Sequence, residues 1–213
     1  YSVGDLAEKC SFDEVAQLLL HDELPTKPQL EQFSQRVAAA RKLPEPLGEL
    51  FRSLPRATPP MDTIRTAVSV MAHFDPEVND NSSQANLRKA ERLLAQIPLA
   101  VADFHRISKG LAPVQPRKDL SHAANFLWML HGKEPNLAAV RALDVSLILY
   151  AEHEFNASTF TARVACSTLS DLHSSILGAI GALKGPLHGG ANEKVMDVLR
   201  AAGGPDTAEK WTR

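Results

Sequence analysis

The chain has 213 residues, 44% of them hydrophobic, which is enough to bury a sizeable core in one domain, or in one domain with part of another. Its 23 lysines and arginines against 25 acidic residues give a formal net charge of −2, so neither a basic field for nucleic acid nor an acidic tail is present. Apolar runs are broken well before the ~20 positions a membrane span needs, and two cysteines, Cys10 and Cys166, are too few for a disulfide framework. They read as reduced, buried thiols, which points to a reducing, cytoplasmic setting.

Taken in order, Ser11-Phe12-Asp13-Glu14 is a capping box, so the first clear helix is expected to start there, with Val15, Ala16, Leu18 and Leu19 as its apolar stripe. Thr26-Lys27-Pro28-Gln29 repeats that logic with proline in the first turn. Pro44 and Pro46 mark a break before a short helix carrying Leu47, Leu50 and Phe51; Pro55, Pro59 and Pro60 punctuate a loop before the pattern Ile64, Val68, Met71, Ala72. Ser82 or Ser83 can cap a long helix from Ala85 to Ser108, with a kink expected at Pro98. A loop over 111–117 follows, then a helix with Ala124, Leu127 and Trp128 that Gly132 ends. Asn136 caps the next helix, and a further one is expected to run unbroken over 158–182, rich in small residues. Asp206-Thr207-Ala208-Glu209 starts another. No strand or hairpin signal, repeat or low-complexity segment occurs, so the fold class is mainly α and multi-helical.

The chemistry concentrates in two stretches. In Leu183-Lys184-Gly185-Pro186-Leu187-His188-Gly189-Gly190-Ala191-Asn192-Glu193, a histidine sits between two helical runs. Gly185 and Pro186 stop the helix before it, and Gly189 and Gly190 leave no side chain over the imidazole. The helix carrying Val195, Met196, Val198 and Leu199 brings free N–H groups and a positive dipole end beside the histidine, a setting that favours an anion. Upstream, Glu152-His153-Glu154-Phe155-Asn156-Ala157-Ser158-Thr159 places a second histidine with polar groups at a helix end.

Together these stretches resemble the citrate synthase family, 2-methylcitrate synthases included. The resemblance extends through Asp5-Leu6-Ala7-Glu8, Phe12-Asp13-Glu14-Val15-Ala16, Pro60-Met61-Asp62 and Arg65-Thr66-Ala67-Val68-Ser69, nearly the whole chain. It departs at Pro59, where the family commonly has histidine. Residues 1–213 also end before the family's Gly-His-Arg-Val-Tyr segment and its later aspartate and arginines, and they open on Tyr1. The chain is therefore expected to be an incomplete large helical domain over 1–213, stopping near the start of a small domain.

The resemblance implies condensation of acetyl-CoA or propionyl-CoA with oxaloacetate and release of CoA, with no other cofactor and no metal. It implies that His188 donates to the developing enolate oxygen, through an N–H of its neutral ring if a hydroxyl holds the other nitrogen, and that Ser158 supplies that support. His153 is expected to contact oxaloacetate, Asn156 to shape that site, and the peptide groups of Leu187, Gly189 and Gly190 to line it. The resemblance also implies a homodimer built on helices of 158–182. The proton-abstracting aspartate would lie beyond Arg213, so these residues alone are expected to be inactive.

Other chemistries fit less well. His153 between two glutamates suggests a metal, yet neither HExxH nor a paired Cys/His spacing occurs; Gly185 to Gly190 lacks the lysine and Ser/Thr of a P-loop. His21, His73, His105, His122, His131 and His173 read as structural, and Arg65 as an ion-pair partner. The alternative of another class is a non-catalytic helical interaction domain that retains the scaffold. A continuation into Gly-His-Arg and a later aspartate would distinguish the two.

Overall fold

A computed structural model describes all residues except His153, Pro205, Asp206, Glu209, Lys210, Thr212 and Arg213, and, within the last helix, the side chains of Ala191, Asn192 and Glu193. Among the described residues there are eleven helices and no strand: α1 (Val3–Lys9), α2 (Phe12–His21), α3 (Lys27–Ala39), α4 (Glu45–Ser53), α5 (Pro60–Phe74), α6 (Ser83–Ser108), α7 (His122–His131), α8 (Leu137–Tyr150), α9 (Ala157–Ser167), α10 (Leu172–Leu183) and α11 (Gly189–Ala202). The mainly α, multi-helical class expected from the sequence is the class observed. None of these helices is long and apolar enough to cross a membrane.

Most boundaries follow local chemistry. Ser11 and Glu14 form the expected reciprocal box, with the Ser11 N–H donated to Glu14 Oε2 at 2.7 Å. The Thr26 N–H is likewise accepted by Gln29 Oε1 at 2.8 Å. Ser82 caps α6, Asn136 caps α8, and Gly132 ends α7 at φ +68°, a left-handed conformation glycine adopts without a Cβ clash. Pro98 lies inside α6, and the helix runs through it to Ser108.

Two expectations need correction, and one element was missed. Residues 158–182 form two helices, α9 and α10, rather than one. The chain turns at Leu169, which takes a left-handed φ of +62°, and Asp171 then caps α10 by accepting the Ser174 N–H at 2.9 Å. The capping aspartate was the overlooked signal, because the small, apolar run on either side masks it. The cysteines are free, but Cys10 is only half-buried and Cys166 is exposed, since it lies on α9, a helix with no buried residue. Helix α1 had no apolar stripe to announce it; the Ser2 side chain accepts the Asp5 N–H and starts it. The helix expected from Asp206 falls partly outside the described residues.

Helix α6 is the axis of the fold. Leu93, Ala100 and Phe104 pack with Leu47 and Phe51 of α4, Ala67, Val68 and Met71 of α5, and Ile180 of α10. Ala95 joins Phe12, Val15, Phe33, Val37 and Ile148 from α2, α3 and α8, and Leu99 and Ala102 meet Met129 of α7. Burying side chains of this size stabilises by roughly 1.5–3 kcal/mol each, which is why one continuous 26-residue helix can organise the other elements. Helix α9 packs against α10, and α10 in turn against α5 and α6. Gly178 on α10 lets these two helices approach: a Cβ there would lie 3.3 Å from Thr161 Cγ2 on α9.

Candidate active site

The site forms where the start of α9 meets the junction of α10 and α11. Asn156 is the N-cap of α9, and its Oδ1 accepts the Thr159 N–H at 2.8 Å. Ser158, in the first turn, donates its hydroxyl to the same oxygen at 2.6 Å. On the other side, α10 ends at Leu183, and the loop after it folds back so that the N–H groups of His188 and Gly190 are both donated to the Gly185 carbonyl, at 3.0 and 3.2 Å.

That loop delivers His188 as the N-cap residue of α11 without using its side chain as a cap. The imidazole is half-buried, and its Nε2 lies 3.0 Å from Ser158 Oγ. Two motifs separated by most of α9 and α10 thus meet through one hydrogen bond. The contact supplies the hydroxyl-to-ring geometry that the family resemblance implied for Ser158 and His188.

Gly189 and Gly190 lie in the first turn of α11 rather than in the loop before it. Their glycine identity follows from close approach: a Cβ on Gly189 would clash with the Leu183 carbonyl oxygen, and one on Gly190 would sit 3.1 Å from that of Gly185. The tight crossing of the end of α10 and the start of α11 is therefore what permits His188 to face Ser158. No acidic residue occupies the first turn of α11, so its positive end is not neutralised there. Leu187 is 98% exposed, which leaves the loop open to solvent. His153 lies outside the described residues. Beside it, the exposed Glu152 accepts the Glu154 N–H.

One pairing near the site had no readable signal. Lys184, at the end of α10, donates to Asp62 at the start of α5, and Arg65 reaches the same carboxylate oxygen at 3.0 Å. The Lys184 hydrogen bond is the main reason that the Asp62 carboxyl is held below its usual range. Pro59, the position that departs from the family, is the N-cap of α5 and lines a cleft of about 410 Å³ with Ile64, Phe104, His105 and Phe126; His188 is not among its lining residues.

Several histidines read as structural have defined settings. His122 is buried against Phe12 with ring centroids 5.1 Å apart; burial, then the nearby Arg41, push its pKa down to about 4 against the pull of Asp144. His173 is 2% exposed, with Nε2 3.6 Å from Asp75, and its pKa is lowered chiefly by burial. Among the described residues no group of three or more His, Cys, Asp or Glu side chains could hold a metal ion.

A family model described as "Citrate synthase, C-terminal domain" matches residues 1–213 in full. The chain belongs to the citrate synthase family. It is 49% identical over its whole length to citrate synthase 2 of Bacillus subtilis and 49% identical to the 2-methylcitrate synthase of Mycobacterium tuberculosis, covering 58% and 54% of those proteins. Among solved structures, citrate synthase from Thermoplasma acidophilum, in ternary complex with carboxymethyl coenzyme A and oxaloacetate, matches 99% of the chain with a TM-score of 0.89 at 32% identity; the match covers 55% of that protein. Citrate synthase from Pyrobaculum aerophilum matches with a TM-score of 0.85 at 40% identity. The chain thus spans about half the length of the citrate synthases it matches.

Proposed function

We propose that this chain is the larger part of the helical domain of an acyl-CoA condensing enzyme, one that joins acetyl-CoA or propionyl-CoA to oxaloacetate and releases CoA without a metal or other cofactor. The observation that carries this reading is the 3.0 Å contact between Ser158 Oγ and His188 Nε2, built by the two motifs most characteristic of the family. His188 stabilises the enolate oxygen formed as the thioester loses a proton alpha to its carbonyl. His153 and Asn156 serve oxaloacetate, with the peptide groups of Leu187, Gly189 and Gly190 lining its site. The base is the family's aspartate, which in the family pattern follows the segment matched here, and residues 1–213 alone are inactive. The enzyme is a cytoplasmic homodimer whose contact includes α9, a reading supported by the exposure of Phe155, Phe160 and Val164, which line a surface cleft of about 630 Å³. A thiol-release assay with oxaloacetate and each thioester tests the reading on the intact protein and on residues 1–213. Turnover by the intact protein alone is expected; no turnover by the intact protein with either thioester would overturn it.

A further inference from the structure

We propose that the cleft between the start of α5, the last two turns of α6 and α7 is a binding site for a small hydrophobic carboxylate, with Arg56 at its rim and His105 in its wall taking the charged end. The cleft measures about 410 Å³, within the range of small-molecule sites, and His188 is not among its lining residues. Ile64, Phe104, Phe126 and Leu130 supply apolar walls. Pro59 adds a pyrrolidine ring where the family commonly has histidine, so a position that the condensing chemistry leaves unexplained belongs to this cleft.

The polar side chains of the lining divide by what they can still bind. Thr58, Thr63 and Ser108 each turn the hydroxyl to a backbone carbonyl, that of Pro55 at 2.7 Å, of Pro59 at 3.5 Å and of His105 at 2.9 Å, so their protons are already used. Arg56 and His105 remain, and they are the only ionisable residues among those described in the lining, which includes no carboxylate. Arg56 is exposed on the loop before α5 and makes no ion pair among the described residues. His105 is half-buried; burial, and then the nearby Lys109, His131 and Arg106, hold its pKa below the ordinary 6.5. The charged neighbours that shift this ring are thus all cationic. The negative end of α6 lies close by, but Lys109, its C-cap residue, offsets it. An anion answers this field and a cation does not, while the walls require the rest of the ligand to be apolar.

The test uses the intact protein and octanoate as the probe, with 1-octanol and octyltrimethylammonium supplying the same tail without charge and with the opposite charge. Octanoate is expected to bind saturably in calorimetry with a Kd of about 1 mM or below, octanol several-fold more weakly, and the ammonium weakest. Bound octanoate is also expected to raise the pKa of His105, read from its ring signals in protein labelled with nitrogen-15 at histidine, because a carboxylate beside the ring favours the imidazolium. Octanol is expected not to raise it. Val101→Trp fills the cleft and is expected to abolish binding of both. Arg56→Ala, at an exposed position that leaves folding intact, is expected to weaken octanoate several-fold and octanol hardly at all, and it decides the matter even if the tryptophan variant does not fold. Absence of saturable octanoate binding, as when the protein's own chain fills the cleft, would overturn the proposal. So would equal binding of the ammonium, a His105 pKa unmoved by saturating octanoate, or unchanged octanoate affinity in Arg56→Ala.

Discussion

The Lys184 ammonium lies 2.6 Å from Asp62 Oδ1, a pair 122 residues apart that ties the last turn of α10 to the first turn of α5. The link sits one residue before the loop that carries His188. Lys184→Met is expected to loosen that loop and lower turnover several-fold while leaving thermal unfolding close to wild type, because the pair is largely exposed and such pairs add little to stability. Steady-state kinetics beside calorimetric melting checks this; an equal loss in Asp62→Asn and in the double variant would identify the pair as the cause.

Gly189→Ala is expected to be more damaging than its single methyl group suggests. The new Cβ would meet the backbone oxygen of Leu183 as well as its side chain, and the backbone oxygen cannot swing aside as a side chain can. The start of α11 must shift, and with it His188; misplacement on the order of 1 Å commonly costs ~10²-fold in rate. A crystal structure of the variant should show His188 separated from Ser158, and retained contact with retained activity would contradict the account.

His188→Ala and His153→Ala should fail in different ways. Loss of a donor that acts as charge develops is expected to lower turnover by ~10²-fold or more with oxaloacetate affinity nearly kept. His153→Ala is expected to weaken oxaloacetate binding, measured by calorimetry. Near-normal turnover in the first or unchanged affinity in the second would remove that residue from its role.

Asp103 on α6 has a buried oxygen without a hydrogen-bond partner, and burial raises its carboxyl pKa to about 6, against the smaller opposing effect of Arg106. A carboxyl whose folded pKa exceeds its unfolded value of 3.8 binds its proton more tightly when folded. Its cost is thus absent below that value, grows as pH rises to about 6, and is complete above. Asp103→Asn is expected to stabilise the protein at neutral pH by about 1–2 kcal/mol, a figure reduced for residual solvent screening, and to have little effect near pH 4. Urea titrations at the two pH values measure the difference.

His122 contributes the opposite slope. Its folded pKa of about 4 lies below the ordinary 6.5, so the buried neutral ring favours folding above pH 6.5, and that contribution is lost as pH falls toward 4. His122→Phe keeps a ring against Phe12 while removing the titration, and is expected to flatten the acid limb of stability. The effect should be clearest in the Asp103→Asn background, where the opposing slope is gone. An unchanged acid limb in that double variant would exclude His122 as its source.

Much of the helical framework was legible in the residues because caps and breaks act over short range. Ser11 with Glu14, Thr26 with Gln29, Asn136 and Gly132 each satisfy or release backbone groups within four positions, and the structure places helix ends at all of them. The same rule could have divided 158–182 at Asp171, had its capping role been weighed above the apolar run. The two motifs around His153 and His188 were visible as resemblance, with Ser158 named as the partner of His188 by that resemblance alone.

What only the tertiary structure decided is which groups meet. Asp62 finds Lys184 because α10 packs against α5, and both pack against α6. That arrangement is the sum of many small packing contacts, and no single residue encodes it. The meeting of His188 with Ser158 is decided in the same way: the imidazole lies 3.0 Å from the Ser158 hydroxyl, in the first turn of a helix whose cap is legible at Asn156, only because the fold brings a second helix end to it.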